Sequence, residues 1–169
     1  MTKIAYTMTE GKGALDRLLA DFAETLQARG VRTCGIAQIN SDCDTGYRCD
    51  MDVQVLPNGS RIRISQQLGR DATGCRLDAA ALEQAVAEVS QQMETDFDLF
   101  ILNKFGKQEA DGRGFRDLIA TALDRGAAVI AGTNGLNTQR FEEFSGGLAT
   151  RVDPTPEALL NWFDAPEAG

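Results

Sequence analysis

The side chains best suited to chemistry stand just after an apolar run in the second half of the chain. Residues 97–102 are apolar except for Asp98, and a dense set of polar side chains follows: Asn103, Lys104, Lys107, Glu109 and Asp111. In an open α/β sheet, polar groups at the carboxyl end of a strand line the crevice where ligands bind. We therefore predict a ligand site here, although a solvated loop would have a similar composition.

A second candidate group follows the first predicted strand. Gly11 and Lys12 fall where the phosphate-loop pattern GxxxxGK[ST] requires them, and Gly13 comes next. The backbone N–H groups of such a turn and the amino end of the following helix bind phosphate, and the lysine adds a positive charge. We predict that these three residues hold an anion. A simpler interpretation is that Thr7 and Glu10 form a capping pair for the helix.

Four positions depart from a magnesium-dependent nucleotide site. Tyr6 stands where the pattern has its first glycine, and Gly13 stands where a hydroxyl would hold magnesium. Asn103 and Lys104 follow a strand that would end in an acid in such a site. With Lys107 they would form the wall facing the phosphate loop. This exchange of acid for amide and ammonium favours a bare oxyanion such as phosphate, a metal-free nucleotide or molybdate, and we expect no metal site.

Three functions follow from these residues. The first is a nucleotide- or oxyanion-binding protein with a degenerate phosphate loop. The second is a nucleoside-triphosphatase acting on ATP or GTP, in which unconventional groups hold magnesium and Glu109 or Asp111 orients the attacking water. The third is a non-catalytic scaffold that binds a protein partner. The sequence is also compatible with a homo-oligomer.

The elements that must position these residues alternate between strand and helix. Short apolar runs predict five strands, over residues 3–8, 31–39, 97–102, 127–131 and 148–152. Apolar residues at helical spacing predict helices that end at Gly30 and Gly126, one capped by Asp78, a short one over residues 140–144, and a closing helix capped by Thr155. Asn58-Gly59 between two extended runs predicts a β-hairpin. The fold class is a three-layer α/β domain over residues 1–169, with a mostly parallel sheet and a hairpin insertion.

Composition excludes several classes of function. The 169 residues are 43% hydrophobic, and 25 acids against 17 bases give a net charge of −8, which argues against a nucleic-acid partner. No run approaches the roughly 18 apolar residues of a membrane span, so we expect a cytoplasmic protein with reduced cysteines. The absence of histidine removes the commonest general base and every Ser-His or Cys-His pair.

Longer stretches carry a resemblance to a known family. Residues 97–109, ending in Asn-Lys-Phe-Gly-Lys-Gln-Glu, resemble the second nucleotide-binding motif of the THEP-type nucleoside-triphosphatases, small P-loop proteins that act on ATP and GTP. A closer likeness is to an uncharacterised bacterial family often encoded beside molybdate-transport genes, which shares Gln38, Cys75-Arg-Leu-Asp78 and Gly112-x-Gly114. The resemblance implies a P-loop hydrolase fold and a role near molybdenum metabolism, and the residues described above add a small anionic ligand.

Overall fold

A seven-stranded sheet forms the centre of the protein. The computed structural model describes residues 3–10, 13–40, 51–65 and 77–166. The strands are β1 (Ile4–Thr7), β2 (Thr33–Asn40), β3 (Met51–Leu56), β4 (Arg61–Arg63), β5 (Leu99–Leu102), β6 (Ala128–Gly132) and β7 (Thr150–Arg151). Their order across the sheet is β4-β3-β2-β5-β6-β1-β7. The five strands β2, β5, β6, β1 and β7 are parallel to their neighbours in this series. The hairpin of β3 and β4 lies at one edge, where β3 pairs antiparallel with both β2 and β4.

Helices cover the sheet. They are α1 (Ala14–Ala28), α2 (Ala79–Gln92), α3 (Lys107–Ala110), α4 (Arg116–Asp124), α5 (Thr138–Phe144) and α6 (Pro156–Asp164). Two apolar clusters show which helix packs on which face. Leu19 of α1 and Leu159 of α6 belong to one cluster, and Val89 of α2, Ile119 of α4 and Phe141 of α5 belong to the other. The sheet therefore separates an α1–α6 layer from an α2–α4–α5 layer.

The predicted three-layer class, with a mostly parallel sheet and a hairpin insertion, is confirmed. Asp78 caps α2 by accepting hydrogen bonds from the backbone N–H groups of Ala80 and Ala81. Thr155 caps α6 through Ala158 N–H, with Pro156 in the first turn. Among the described residues, every helix is too short or too polar to span a bilayer.

Two local predictions were wrong. No helix was predicted directly after β5, but the segment contains α3, because Glu109 closes a single helical turn onto the backbone of Gly106. The capping pair of Thr7 and Glu10 does not form, since α1 begins at Ala14 and its N-cap residue is Gly13.

Candidate functional site

The amino end of α1 meets the sheet at the carboxyl end of β1. Gly13 adopts a left-handed backbone conformation, with φ 83° and ψ −17°, and no side chain caps the helix there. Residues with a side chain rarely adopt this backbone conformation, so glycine at position 13 allows the chain to turn into α1. Gly11 and Lys12, the other two predicted anion-binding residues, lie outside the described residues.

The carboxyl ends of β1, β6 and β5 converge at Gly132. Thr7 pairs with Gly132, and a Cβ at that glycine would lie 2.3 Å from the carbonyl oxygen of Asn103 and 2.8 Å from Leu15 Cδ2. Gly132 also accepts a hydrogen bond of 2.7 Å from the backbone N–H of Phe105. Only glycine permits this approach. The sheet therefore brings Asn103 to the same edge as the first turn of α1, as the sequence predicted for the two halves of a site.

Asn103 is a buried connector between three elements. Its Oδ1 accepts a 2.8 Å hydrogen bond from the backbone N–H of Gln38 on β2, and its Nδ2 donates to Asp16 Oδ1 of α1 at 2.6 Å. The Gln38 side chain lies 3.5 Å from both Asn103 and Asp16. The amide uses one acceptor and one donor at the same time, which an ionised carboxylate could not do.

Asp16 was not singled out from the sequence, and Gln38 was noted only through the resemblance. Asp16 stands in the first turn of α1, where a negative charge favours the helix dipole, so its residue type alone suggested a helix stabiliser. The available signal was its position three residues after Gly13, since first-turn side chains of a helix behind a phosphate loop lie beside the ligand site.

Lys104 and Lys107 are both exposed, on the turn after β5 and at the first residue of α3. Within the described part of the chain, neither ammonium group makes a hydrogen bond or an ion pair. The structure therefore does not join them to Asn103 by contact, but it leaves both charges available at the edge of the sheet where Asn103 lies.

Glu109 lies buried inside the segment that follows β5. Its Oε1 accepts from Gly106 N–H at 3.0 Å, and its Oε2 accepts from Phe115 N–H at 3.2 Å. Burial raises the pKa of Glu109 above its usual range, although the two N–H groups oppose this. We infer that Glu109 organises the loop, which leaves its predicted role in orienting water without support from geometry.

Asp111, the other predicted catalytic acid, is exposed at the end of α3 and pairs with Arg113 at 3.7 Å.

The two strand residues before the phosphate loop face opposite layers. Tyr6 lies against Phe141 of α5, and its hydroxyl donates to Glu142 at 2.5 Å, so its side chain belongs to the α2–α4–α5 layer. Thr7 is 0% exposed, and its Oγ1 has no hydrogen-bond partner among the described residues. A buried hydroxyl without a partner carries a desolvation cost that a bound water or ligand oxygen would remove.

A magnesium ion of the kind used by P-loop hydrolases does not fit these residues. Gly13 offers no hydroxyl, and both polar atoms of Asn103 are engaged by protein groups. No group of three or more acidic or cysteine side chains in the described ranges could hold a metal ion.

The cysteines and the aspartates of the first half of the chain are the remaining groups that could do chemistry. Cys34 is buried in β2, which raises the pKa of its thiol to about 11 and makes it unreactive. Asp52 pairs with Arg61 and Arg63. Cys75, which the resemblance included, lies outside the described residues, as do Asp42, Cys43, Asp44, Cys49 and Asp50.

Solved structures share this fold. The solution structure of a human cancer-related nucleoside triphosphatase matches with a TM-score of 0.62 at 20% identity, over 96% of this chain and 92% of that one. The crystal structure of THEP1 from the hyperthermophile Aquifex aeolicus matches with a TM-score of 0.52 at 18% identity, over 97% and 96% of the two chains. The fold is thus of the P-loop nucleoside-triphosphatase type.

A curated relative has a higher sequence identity to this chain than these two solved structures have. The molybdenum import ATP-binding protein ModC 2 of Bradyrhizobium diazoefficiens is 36% identical over 161 residues, which are 95% of this chain and 18% of that protein. The chain therefore spans less than a fifth of this relative. A family model described as a protein of unknown function, DUF2478, matches residues 4–162. Since this match covers nearly the whole chain, the protein belongs to the DUF2478 family.

Proposed function

We propose that this protein binds a small oxyanion or a nucleotide at the amino end of α1, without magnesium-dependent hydrolysis, and acts in molybdenum import. The observation that carries the proposal is the buried amide of Asn103, which occupies the strand end where hydrolysis in this fold needs a carboxylate. A neutral amide there, beside the carboxylate of Asp16, avoids a second negative charge that would repel a bare anion.

Three features support anion binding at this place. The helix α1 is 15 residues long and begins at an uncapped glycine, so its first N–H groups are open to a ligand. Thr7, the last residue of β1, holds a buried hydroxyl without a partner among the described residues. The ammonium groups of Lys104 and Lys107 are unpaired within that part of the chain, and Lys12 adds a third positive charge in the sequence.

The relative from Bradyrhizobium supports the molybdenum link. That protein is named as a molybdenum import ATP-binding protein, and the segment like this chain is 18% of it. A tetrahedral oxyanion matches both the name and the chemistry of backbone N–H groups with lysines. Molybdate is therefore the first ligand to test.

Thermal unfolding with single ligands tests the proposal. Molybdate, phosphate, ATP and GTP would each be added with and without Mg²⁺. A ligand at 100 times its Kd stabilises the folded state by about 2.7 kcal/mol and raises Tm accordingly. We expect molybdate or an unhydrolysed nucleotide to raise Tm equally in both conditions.

Variants locate the site. Lys12→Ala should abolish the increase in Tm, and Lys107→Ala should reduce it. An increase that survives in Lys12→Ala but is lost in Lys107→Ala would place the anion away from the phosphate loop. If the increase in Tm requires Mg²⁺ and phosphate is released from the nucleotide, the protein is a nucleoside-triphosphatase and the proposal is wrong.

A nucleoside-triphosphatase is the second candidate, and Asp16 is the observation that favours it. Its carboxylate contacts the Asn103 amide at 2.6 Å, which restores one negative charge beside the position of the missing acid. If phosphate is released from ATP or GTP, Asp16→Asn should abolish the release. An unchanged rate in that variant would exclude Asp16 as the substitute acid.

A further inference from the structure

A second concave site lies on the opposite face of the sheet from α1. It is a pocket of about 180 Å³ at the junction of α3, α4 and α5. Its lining consists of Phe105, Ala110, Arg116, Arg140, Glu143 and Phe144. Phe105 belongs to the apolar cluster of the α2–α4–α5 layer, whereas Leu18 and Leu19 of α1 belong to the other cluster. The pocket is therefore separate from the phosphate-loop site.

Two arginines line this pocket, and neither has a carboxylate ion-pair partner among the described residues. Arg116 lies over the ring of Phe144, with its central carbon 5.3 Å from the ring centroid. Neither Arg116 nor Arg140 forms an ion pair with any described residue. Arg116 is held by the aromatic ring, which leaves its N–H groups free to bind an anion in a fixed orientation.

Glu143 distinguishes this pocket from a simple anion site. Its Oε1 accepts a hydrogen bond of 3.1 Å from Gln139, and Glu143 lines the same cavity as the two arginines. A carboxylate accepts hydrogen bonds and donates none. An anion seated here must therefore present an O–H group to Glu143 while its other oxygens face Arg116 and Arg140.

Size narrows the ligand further. Pockets for drug-sized and cofactor ligands are typically about 300–1,000 Å³, which exceeds this cavity. A single tetrahedral oxyanion suits it better than a nucleotide. Phosphate at neutral pH carries at least one proton, whereas sulfate and molybdate carry none, so only phosphate satisfies all three side chains.

We propose that the pocket formed by Arg116, Arg140 and Glu143 binds hydrogen phosphate and discriminates against fully deprotonated oxyanions. This site is additional to the one at α1 and does not depend on it. It makes the protein a binder of two anions on opposite faces of one sheet.

Isothermal titration calorimetry of the full chain tests the proposal, with inorganic phosphate, glycerol 3-phosphate, sulfate and molybdate as probes. We expect saturable binding of phosphate and at least about tenfold weaker binding of sulfate. Arg140→Gln should weaken phosphate binding by at least about tenfold, because it removes a charge-assisted hydrogen bond at an exposed position that the fold does not need. Glu143→Gln should strengthen sulfate binding, because the new amide can donate to an unprotonated oxygen.

Two control variants make the result decisive. Arg113→Gln removes an equal charge from the neighbouring loop, outside the pocket, and should leave phosphate affinity unchanged. In Lys12→Ala, which disables the site at α1, the phosphate binding that depends on Arg140 should remain, and this separates the two sites. Equal losses in Arg113→Gln and Arg140→Gln, loss of the Arg140-dependent binding in Lys12→Ala, equal affinity for sulfate at the Arg140-dependent site, or the absence of saturable binding would each overturn the proposal. Tighter binding of glycerol 3-phosphate than of inorganic phosphate would overturn the assignment to the free ion.

Discussion

Asn103 shows how one amide can join three elements. It accepts from the backbone of β2 and donates to the first turn of α1, while its own backbone ends β5. An acid at this position would meet the carboxylate of Asp16 across 2.6 Å. Asparagine at position 103 therefore suits the carboxylate of Asp16, to which it donates a hydrogen bond.

We predict that Asn103→Asp destabilises the protein by about 3 kcal/mol at neutral pH, because a buried carboxylate at position 103 and the half-buried carboxylate of Asp16 cannot both ionise in contact without repulsion. Urea unfolding would measure the loss. The pair-exchanged variant Asp16→Asn with Asn103→Asp keeps one amide against one carboxylate, and it should recover most of the stability. If the double variant is no more stable than Asn103→Asp, repulsion between the two carboxylates is not the cause of the lost stability.

Glu109 acts on the loop through two backbone N–H groups. Glu109→Ala would leave the N–H groups of Gly106 and Phe115 without this acceptor, at a cost of about 2–3 kcal/mol in the free energy of unfolding. Asp111→Ala, at an exposed neighbour, should cost less than about 0.5 kcal/mol. Comparable unfolding midpoints for the two variants would contradict the structural role of Glu109.

The pH dependence of stability reports the same group. Because burial raises the pKa of Glu109 in the folded chain, the folded state binds its proton more tightly than the unfolded state does. The resulting stabilisation is complete below the unfolded pKa of about 4.3 and is lost as pH rises through the folded pKa. Relative to Glu109→Gln, the wild-type chain should therefore lose stability from pH 4 upwards until the folded group has ionised. Urea midpoints across this range would check it, and parallel profiles for the two proteins would contradict it.

At the scale of elements, the segment between β5 and α4 depends on a glycine that only the three-dimensional contact explains. Gly114 has φ +62°, and a Cβ there would lie 1.7 Å from Glu109 Oε2. Gly112 has φ +88°, but the nearest atom to its Cβ would be Arg116 Nη1 at 3.6 Å. The two glycines share a left-handed backbone and differ in the space around them.

This difference allows a matched comparison. Gly112→Ala should cost about 1 kcal/mol, the usual penalty for an L residue with positive φ. Gly114→Ala should cost about 2 kcal/mol more, because the methyl group must displace the Glu109 carboxylate from its hydrogen bonds. Equal losses in thermal or urea unfolding would show that the carboxylate is not packed against this glycine.

At the scale of the whole molecule, α6 joins the end of the chain to its beginning. Lys3 donates to the carbonyl oxygens of Phe163 and Ala165, and Arg29 of α1 pairs with Asp164 at 2.7 Å. Leu159 is fully buried in the α1–α6 layer. These contacts indicate that α6 unfolds together with the sheet.

The single tryptophan provides the measurement, since Trp162 lies on α6. We predict that its fluorescence and the far-UV circular dichroism signal give the same urea midpoint, as expected for one cooperative unit. A fluorescence transition at clearly lower urea would show that α6 detaches first and would contradict the single domain predicted from the sequence.

The fold class could be predicted from the sequence because the spacing of apolar residues and the residues that end helices are local properties of the chain. Buried strands appear as short apolar runs, and glycines, Asp78 and Thr155 mark helix ends with their own side-chain or backbone chemistry. The same patterns predicted that Asn103 and the first turn of α1 lie at one edge, since the carboxyl ends of parallel strands meet at one side of a sheet. The structure brings these two elements together at Gly132, and a ligand at this edge stays a prediction.

The roles within that edge depended on the tertiary structure. A carboxylate has the same sequence signature whether it faces water or backbone N–H groups, so only packing shows that Glu109 is buried and Asp111 exposed. The pairing of Asp16 with Asn103 joins residues 87 positions apart, and the Arg116–Arg140 pocket needs α4 and α5 side by side. The chain by itself determined which elements form and at which edge they present their polar ends. Hydrogen-bond geometry between distant residues, which no local pattern encodes, decided which of those polar groups build the structure and which remain open to a ligand.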